Sequence, residues 1–329
     1  LDTGTHLMMG FGLFGLAHLD PSVASDPATA QAVFIGTLIG SQIPDIDTLY
    51  RLRGNNTYIR NHRGWTHSLP MLLLWPALIS LVLGWWYPEA SNLSLIGWTT
   101  LAVWFHVFVD IFNSYGTQAI RPLSKRWIHL HVLHIFDPFL FGIHVLGIIL
   151  WWLHIVPPGP LFLDIYLLFF LYLSWRCLAH YQKLQLIKKL VPTATRHTVL
   201  PTIHWNKWYV LVEEGNEVRL GTLHGTQFSW KKKQIFTSRT HPICKKSESA
   251  PAVSAFLSFS SYGYAEVVQN GAGYEVRWFD IRYLHKKRYP CFAVALLNSK
   301  LEVEHCFVGW MSHQQMCQRI EDAKLSLSS

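Results

Sequence analysis

The sequence predicts a membrane α-helical bundle of about six spans followed by a small antiparallel β-rich cytoplasmic domain. Three observations carry this. Half of the 329 residues are hydrophobic and only 15% are charged, against roughly 25% charged in an ordinary soluble domain. The composition is divided: residues 1–180 are a series of apolar runs, 181–198 form a basic linker, and 199–329 are polar, basic and strand-like. Lysine and arginine also fall on alternate loops of the apolar half.

A spanning helix needs roughly 20 mainly apolar residues to cross a hydrocarbon core about 30 Å thick. Six runs qualify as candidates: 5–19, 28–43, 69–87, 93–112, 139–156 and 161–178. The last four are long and nearly uncharged, which argues against a soluble helical core. The first two are short and glycine-rich (GFGLFGLA, VFIGTLIGS), and small residues favour close packing between helices inside a bundle. The first run has no basic lead-in, so no secretory leader is expected.

The loops after the first, third and fifth runs (HLDPSVASDPATAQ, PEASNLS, PPGP) contain no lysine or arginine. The others carry Arg51, Arg53, Arg60 and Arg63, then Arg121, Lys125 and Arg126, then Arg176, Lys183, Lys188 and Lys189. Positive loops stay in the cytoplasm. Both termini and the polar second half are therefore expected there, in a multi-pass protein of the bacterial inner membrane. The five cysteines form no CxxC pair, which fits free thiols in a reducing compartment.

This topology, set by loop charge alone, gathers the unusual polar residues at one membrane face. His6 stands where the first run begins, and the second ends in PDID with Asp45 and Asp47. The third starts after NHRGWTHS, with His62, Arg63 and His67. The fourth carries His106 and Asp110 in HVFVD, and the fifth begins after FDP with Asp137. His106 and Asp110 are four apart and share a helix face. Asp45 and Asp47, two apart, suit an extended turn that presents both carboxylates. Ionisable groups within a span are expensive and usually functional.

Imidazoles mixed with carboxylates suit zinc, manganese or iron better than calcium. Seven candidate metal ligands (His6, Asp45, Asp47, His62, His67, His106, Asp110) exceed one tetrahedral ion, so a divalent transition metal is expected as one ion or two, zinc or manganese foremost. Arg63 could steady an anionic group. Asp137 could be a further ligand, a partner of a histidine, or a general base.

Plainer readings stand beside these. Asp47 could cap a helix, and Ser68 reads as an N-cap. His18, His144 and His154 read as structural, and Asp20 and Asp26 lie on the opposite face. His129, His131 and His134 read as a loop cluster whose part in the site is open.

DTGTH, GSQIPDIDT, IRNHRGWTHS, HVFVDIFNSYGTQAIRP and FDPF together resemble the YdjM-like family of inner-membrane metal-dependent hydrolases, nearest to its YfhP-type branch from bacilli. LSFS and RWFDIRY extend the likeness into the second half. The resemblance implies a hydrolase whose metal is held by His/Asp motifs. On it, His6 matches the first motif, Asp45 and Asp47 the PDxD, and His62 and His67 the HRGxTHS. His106, Asp110 and Asp137 match the later motifs.

The second half reads as hairpins. KWYVLVEEGNEVRLGTL pairs around a Gly-Asn turn, AEVVQNGAGYEVRWFDIRY around Asn270-Gly271, and CFAVALLNSKLEVEHCFVGW forms a third. A polar helix over about 313–325 closes the chain. Basic clusters at 231–233, 245–246 and 286–288 suit a solvated face or the anionic inner leaflet. No nucleic-acid-binding signature, P-loop, dinucleotide fingerprint or nucleophile elbow is present. The expected partners are membrane lipids, a lipid or amphiphile as substrate, and a protein partner for the second domain. The leading expectation is a metal-dependent hydrolase acting on a phosphate or ester bond near the cytoplasmic leaflet. The alternative is a metal- or proton-sensing regulator that signals through its cytoplasmic domain. An ion transporter fits least, because the polar groups sit at one face and offer no relay across the midplane.

Overall fold

The computed structural model describes residues 1–214, 217–230, 241–260, 262–271, 273–280 and 291–328. All six apolar runs are helices. They are α1 (Thr3–Ala17), α3 (Pro27–Gly40) after a short α2 (Pro21–Ser25), α5 (Leu69–Trp86), α6 (Asn92–Ile111), α7 (Pro138–Trp152) and α8 (Pro158–Leu190). Between α3 and α5 lie a 3-10 segment (Ile43–Arg53), α4 (Asn55–Asn61) and a 3-10 turn (Trp65–His67). Among the described residues, α5, α6 and α8 are long and apolar enough to cross a membrane, and α3 and α7 are shorter apolar helices. The structure thus shows up to three spans by length where the apolar runs predicted six.

Local chemistry sets where these helices begin. Asp20 caps α2, accepting from the Ser22 amide, and Asp26 caps α3, accepting from Ala28 and Thr29. The prolines at 21 and 27 each follow a cap, where a missing N–H costs nothing. Ser68 stands at the N-cap of α5, although its hydroxyl makes no capping bond. His18 and His144 bond carbonyls of their own helices, those of Phe14 and Leu140, as expected of structural histidines.

The glycines bring the first two helices close to their neighbours. A Cβ on Gly15 would lie 2.1 Å from the Phe162 ring of α8, and one on Gly36 would lie 2.5 Å from Thr99 of α6. Small residues here let the backbones approach. The outer face of α5 is the reverse case: Leu73, Leu81 and Trp85 are exposed, an apolar surface of the kind that marks a membrane contact.

The second half holds two four-stranded antiparallel meanders in place of the single sheet or barrel expected. The first is β1 (Arg196–Pro201), β2 (Lys207–Glu214), β3 (Glu217–His224) and β4 (Gln227–Trp230), in that order. The second is β5 (Gly263–Asn270), β6 (Gly273–Asp280), β7 (Cys291–Leu297) and β8 (Val303–Trp310). The three predicted hairpins are β2–β3, β5–β6 and β7–β8. Gly271 has φ of 56°, a left-handed conformation open to glycine. The expected Gly-Asn turn of the first hairpin, and the basic clusters at 231–233 and 286–288, lie outside the described residues. Lys245 and Lys246 are exposed on α9 (Pro242–Ser247).

The sheets share a core in which Leu211, Val218 and Leu220 meet Phe279, Phe292 and Phe307, closed by Met316 and Ile320 of α11 (His313–Ser328). A second core crosses between the two halves of the chain. Tyr58 and Ile59 of α4 are buried with Phe256 and Phe259 of α10 (Pro251–Phe259), Trp278 and Val308. The Trp127 indole donates to the Ser258 carbonyl at 2.8 Å. The second domain therefore packs on the same loops that carry the sequence motifs.

Candidate metal centre

Four elements converge at one end of the helical region: the start of α1, the 3-10 segment after α3, the 3-10 turn before α5, and the last turns of α6. Asp45 Oδ1, His67 Nε2, His106 Nε2 and Asp110 Oδ2 all lie within 4.8 Å of one another. His67 Nε2 is 3.5 Å from Asp45 and 3.6 Å from Asp110. His106 Nε2 is 3.8 Å from Asp45 and 3.6 Å from Asp110.

Each of these four atoms is buried and has no hydrogen-bond partner. A buried acceptor left unsatisfied costs about 1–3 kcal/mol; Asp110 Oδ2 already faces the Arg63 guanidinium, and one cation could be shared by all four atoms. Nitrogen and oxygen ligands about 2.0–2.2 Å from a tetrahedral ion stand about 3.3–3.6 Å apart, close to the spacings found. Two imidazoles with two carboxylates are a donor set that zinc or manganese accepts.

The proton positions follow from the partners on the far side of each ring. His106 Nδ1 lies 2.7 Å from the Ser41 carbonyl, which can only accept, so Nδ1 carries the proton. In the neutral ring, Nε2 is then a bare lone pair facing the group. His67 reaches the same state through Thr66. The Thr66 hydroxyl donates to Asp47 Oδ2 at 2.9 Å, so it must accept from His67 Nδ1 at 3.0 Å. Such outer bonds fix the tautomer and orientation of a ligating histidine.

Asp47 belongs to this supporting layer. Its Oδ1 takes a bond from His62 Nδ1 at 2.8 Å, and its Oδ2 takes the Arg63 amide at 2.6 Å as well as Thr66. Asp45, Asp47 and His62 also offer ligand atoms within 4.8 Å of one another, but both Asp47 oxygens already hold donors. His6 stacks on His106 with ring centroids 3.8 Å apart. Its Nε2 stands 3.2 Å from Asp110 Oδ1 and 2.9 Å from the Leu1 amino group, which also contacts Asp110.

Arg63 is buried in the group, its Nη2 3.1 Å from Asp110 Oδ2 and 3.0 Å from the Leu1 carbonyl. Its Nε and Nη1 have no hydrogen-bond partner. Its φ of 55° is left-handed, a conformation uncommon outside glycine. The Arg63 amide bond to Asp47 and a bond from the Gln118 amide to the Arg63 carbonyl at 3.0 Å hold it there. Burial works against the Arg63 charge, but Asp110 and Asp45 outweigh it and raise the pKa. Burial likewise works against the Asp45 charge, but the positive charge around it, Arg63 included, holds its carboxyl well below the usual range.

Asp137 is placed elsewhere. It caps α7, accepting from the Phe139 and Leu140 amides at 3.1 and 3.2 Å, and its other oxygen accepts from the Tyr172 hydroxyl at 2.7 Å. Its expected part as a ligand or base gains nothing from this position. The His129 and His131 rings lie with centroids 4.4 Å apart and their planes tilted by 42°, and His131 faces Tyr262 of the second domain at 3.3 Å, away from the four-atom group.

Sequence reasoning passed over Thr66 and Asn113. Asn113 donates to Asp110 Oδ1 at 3.0 Å, while its own carbonyl oxygen accepts the Tyr115 and Gly116 amides. Both sit inside quoted motifs, next to His67 and three residues after Asp110, and that proximity was the available signal.

The ordered set of motifs on these elements is matched by residues 1–183 fitting the model of the YdjM inner membrane protein family. The chain belongs to that family. Residues 242–320 match the YfhP C-terminal alpha/beta plait domain. The chain is similar throughout to "Uncharacterized protein YfhP" of Bacillus subtilis (strain 168), with 38% identity over 331 residues and all of both chains covered. No solved structure matches. Every member of the four-atom group and its supporting layer lies within the YdjM match, and α10, which packs on α4, lies within the YfhP one.

Proposed function

We propose that this YdjM-family protein is a metal-dependent hydrolase of the bacterial inner membrane, acting at the cytoplasmic leaflet on a phosphate or ester bond of an amphiphile. The single observation that carries the reading is the convergence of four buried ligand atoms from Asp45, His67, His106 and Asp110, none of which has a hydrogen-bond partner. In this reading the six apolar helices cross the membrane, both termini are cytoplasmic, and the site opens at headgroup level. The one-sided distribution of lysine and arginine supports that orientation.

Asp45, His67, His106 and Asp110 would hold one ion, zinc or manganese foremost. A bound divalent metal supplies Lewis acidity and an activated water. The chain's own residues do the rest. Ser41 and Thr66 keep the imidazole lone pairs turned inward, Asp47 anchors Thr66 and the His62–Arg63 backbone, and Asn113 holds Asp110. Arg63 presents Nε and Nη1, fixed and dry, to an anionic oxygen, and fixed charge in a water-poor site acts strongly on charge that develops in a reaction. Asp45 has the most exposed side chain of the four ligands, at 16%, so substrate would approach from its side.

The test is turnover by the purified full-length protein of a panel of lipid phosphates and lysolipid esters, with and without chelator. Chelator-sensitive hydrolysis that disappears in Asp110→Ala is expected. No turnover across the panel by metal-loaded protein would contradict the reading.

A second reading, a metal-sensing regulator, is favoured by one observation. The second domain buries Tyr58 and Ile59 of α4, which ends at Asn61 beside His62. A tail that binds a protein partner only in the metal-loaded state, without hydrolysis, would select it.

A further inference from the structure

Beside the four-atom group lies an apolar groove of about 590 Å³ that the metal chemistry does not use. That volume is within the range of about 300–1,000 Å³ typical of small-molecule sites. One wall is the 3-10 segment, through Ile46, Leu49 and Leu52. The other is Trp65 with Met71 and Trp75 from the first turns of α5. Leu49 is 61% exposed, Leu52 87% and Trp65 54%, an unusual cost for a surface that met only water.

The polar groups of the groove are unevenly placed. Asp47 and Thr66, which orient His67, line it, and Asp45 immediately precedes Ile46 of its wall. Arg53 also lines it, and the Arg121 guanidinium lies 5.6 Å over the Trp65 ring. The groove therefore runs from the side of the ligand group to the start of a helix that is apolar on its outer face, with cationic side chains beside it.

We propose that this groove holds the alkyl chain of an anionic amphiphile whose head reaches Arg63 and the ligand group, so that the substrate enters sideways from the bilayer. The placement of the head rests on the hydrolase reading, whereas that of the chain does not. A polar metabolite would leave the Leu49–Leu52 wall exposed to water. A single alkyl chain covers it and leaves the anionic head between the arginines and Asp45.

The experiment uses full-length protein in phosphatidylcholine nanodiscs and dodecyl phosphate carrying a diazirine at the chain end. After illumination, labelled peptides are mapped. Label is expected on 46–52 and 71–75, displaced by unlabelled dodecyl phosphate but not by inorganic phosphate. Met71→Trp, which fills the groove, should lower this labelling about tenfold with metal content unchanged. Label spread evenly along the outer face of α5 and untouched by competitor would mean bulk bilayer lipid only and would overturn the proposal. Labelling that persists in Met71→Trp would also overturn it. Displaceable groove labelling in a protein that turns over no ester would keep the groove and remove the hydrolase. Turnover without groove labelling would do the reverse.

Discussion

The Thr66 hydroxyl stands between His67 and Asp47, 3.0 Å from the imidazole Nδ1 and 2.9 Å from the carboxylate. The carboxylate accepts a hydrogen bond from the hydroxyl, the hydroxyl accepts one from the imidazole Nδ1–H, and His67 keeps its Nε2 lone pair directed at Asp45 and Asp110. Thr66→Val removes this relay while keeping the shape of the side chain. Metal affinity should fall about 10–100-fold, read by competition with a chromogenic chelator, and Thr66→Ser should restore it. Equal affinity in Thr66→Val would mean that the relay does not set the tautomer.

Arg63 tests the anion-binding half of the account. Arg63→Lys keeps a positive charge beside Asp110 but loses the fixed planar donors Nε and Nη1. The expected outcome is retained metal with KM for an anionic substrate raised about tenfold or more. Loss of metal from this variant would instead make Arg63 part of the structural support of Asp110.

Asp137 should behave as a fold residue. Asp137→Ala removes two capping bonds and the Tyr172 contact, so α7 should lose about 0.5–2 kcal/mol of capping stability, visible as a lower Tm. Its metal content should equal that of wild type. A metal-free Asp137→Ala protein that keeps the wild-type Tm would return Asp137 to the site.

The second domain should tune the site without touching it. Phe256 is buried with Tyr58 and Ile59, and α4 leads directly into His62 and Arg63. Phe256→Ala should cost about 3–5 kcal/mol of packing and loosen α4, and Phe256→Leu should recover most of that. Metal dissociation should be faster in the alanine variant and near normal in the leucine one, measured by chelator chase. Identical rates in all three would separate the tail from the site.

Much of the site was legible because its chemistry is local in sequence. His106 and Asp110 share a helix face by spacing alone, and HRGWTH puts Arg63 and His67 on one short turn. The roles of Asp45 and Asp47 were not legible. An extended turn would present both carboxylates alike, but the segment is a 3-10 helix, where residues two apart point about 240° around the axis from each other. Asp45 therefore faces the ligand group and Asp47 the loop behind it. Asp137 illustrates a motif read for chemistry where geometry used it otherwise, since an aspartate before proline at a helix start is also a cap signature. In the second half the hairpins followed from alternation and Asn270-Gly271. Their division into two sheets did not, because period-2 alternation identifies a buried face without naming the sheet behind it.

The most direct test is elemental analysis of purified full-length protein and its Asp110→Ala and His67→Ala variants, each shown to be folded by its Tm. The account predicts about one divalent transition-metal ion per wild-type chain and none in either variant. Stoichiometric metal in both variants, or a wild-type protein that takes up none when offered zinc or manganese, would contradict it.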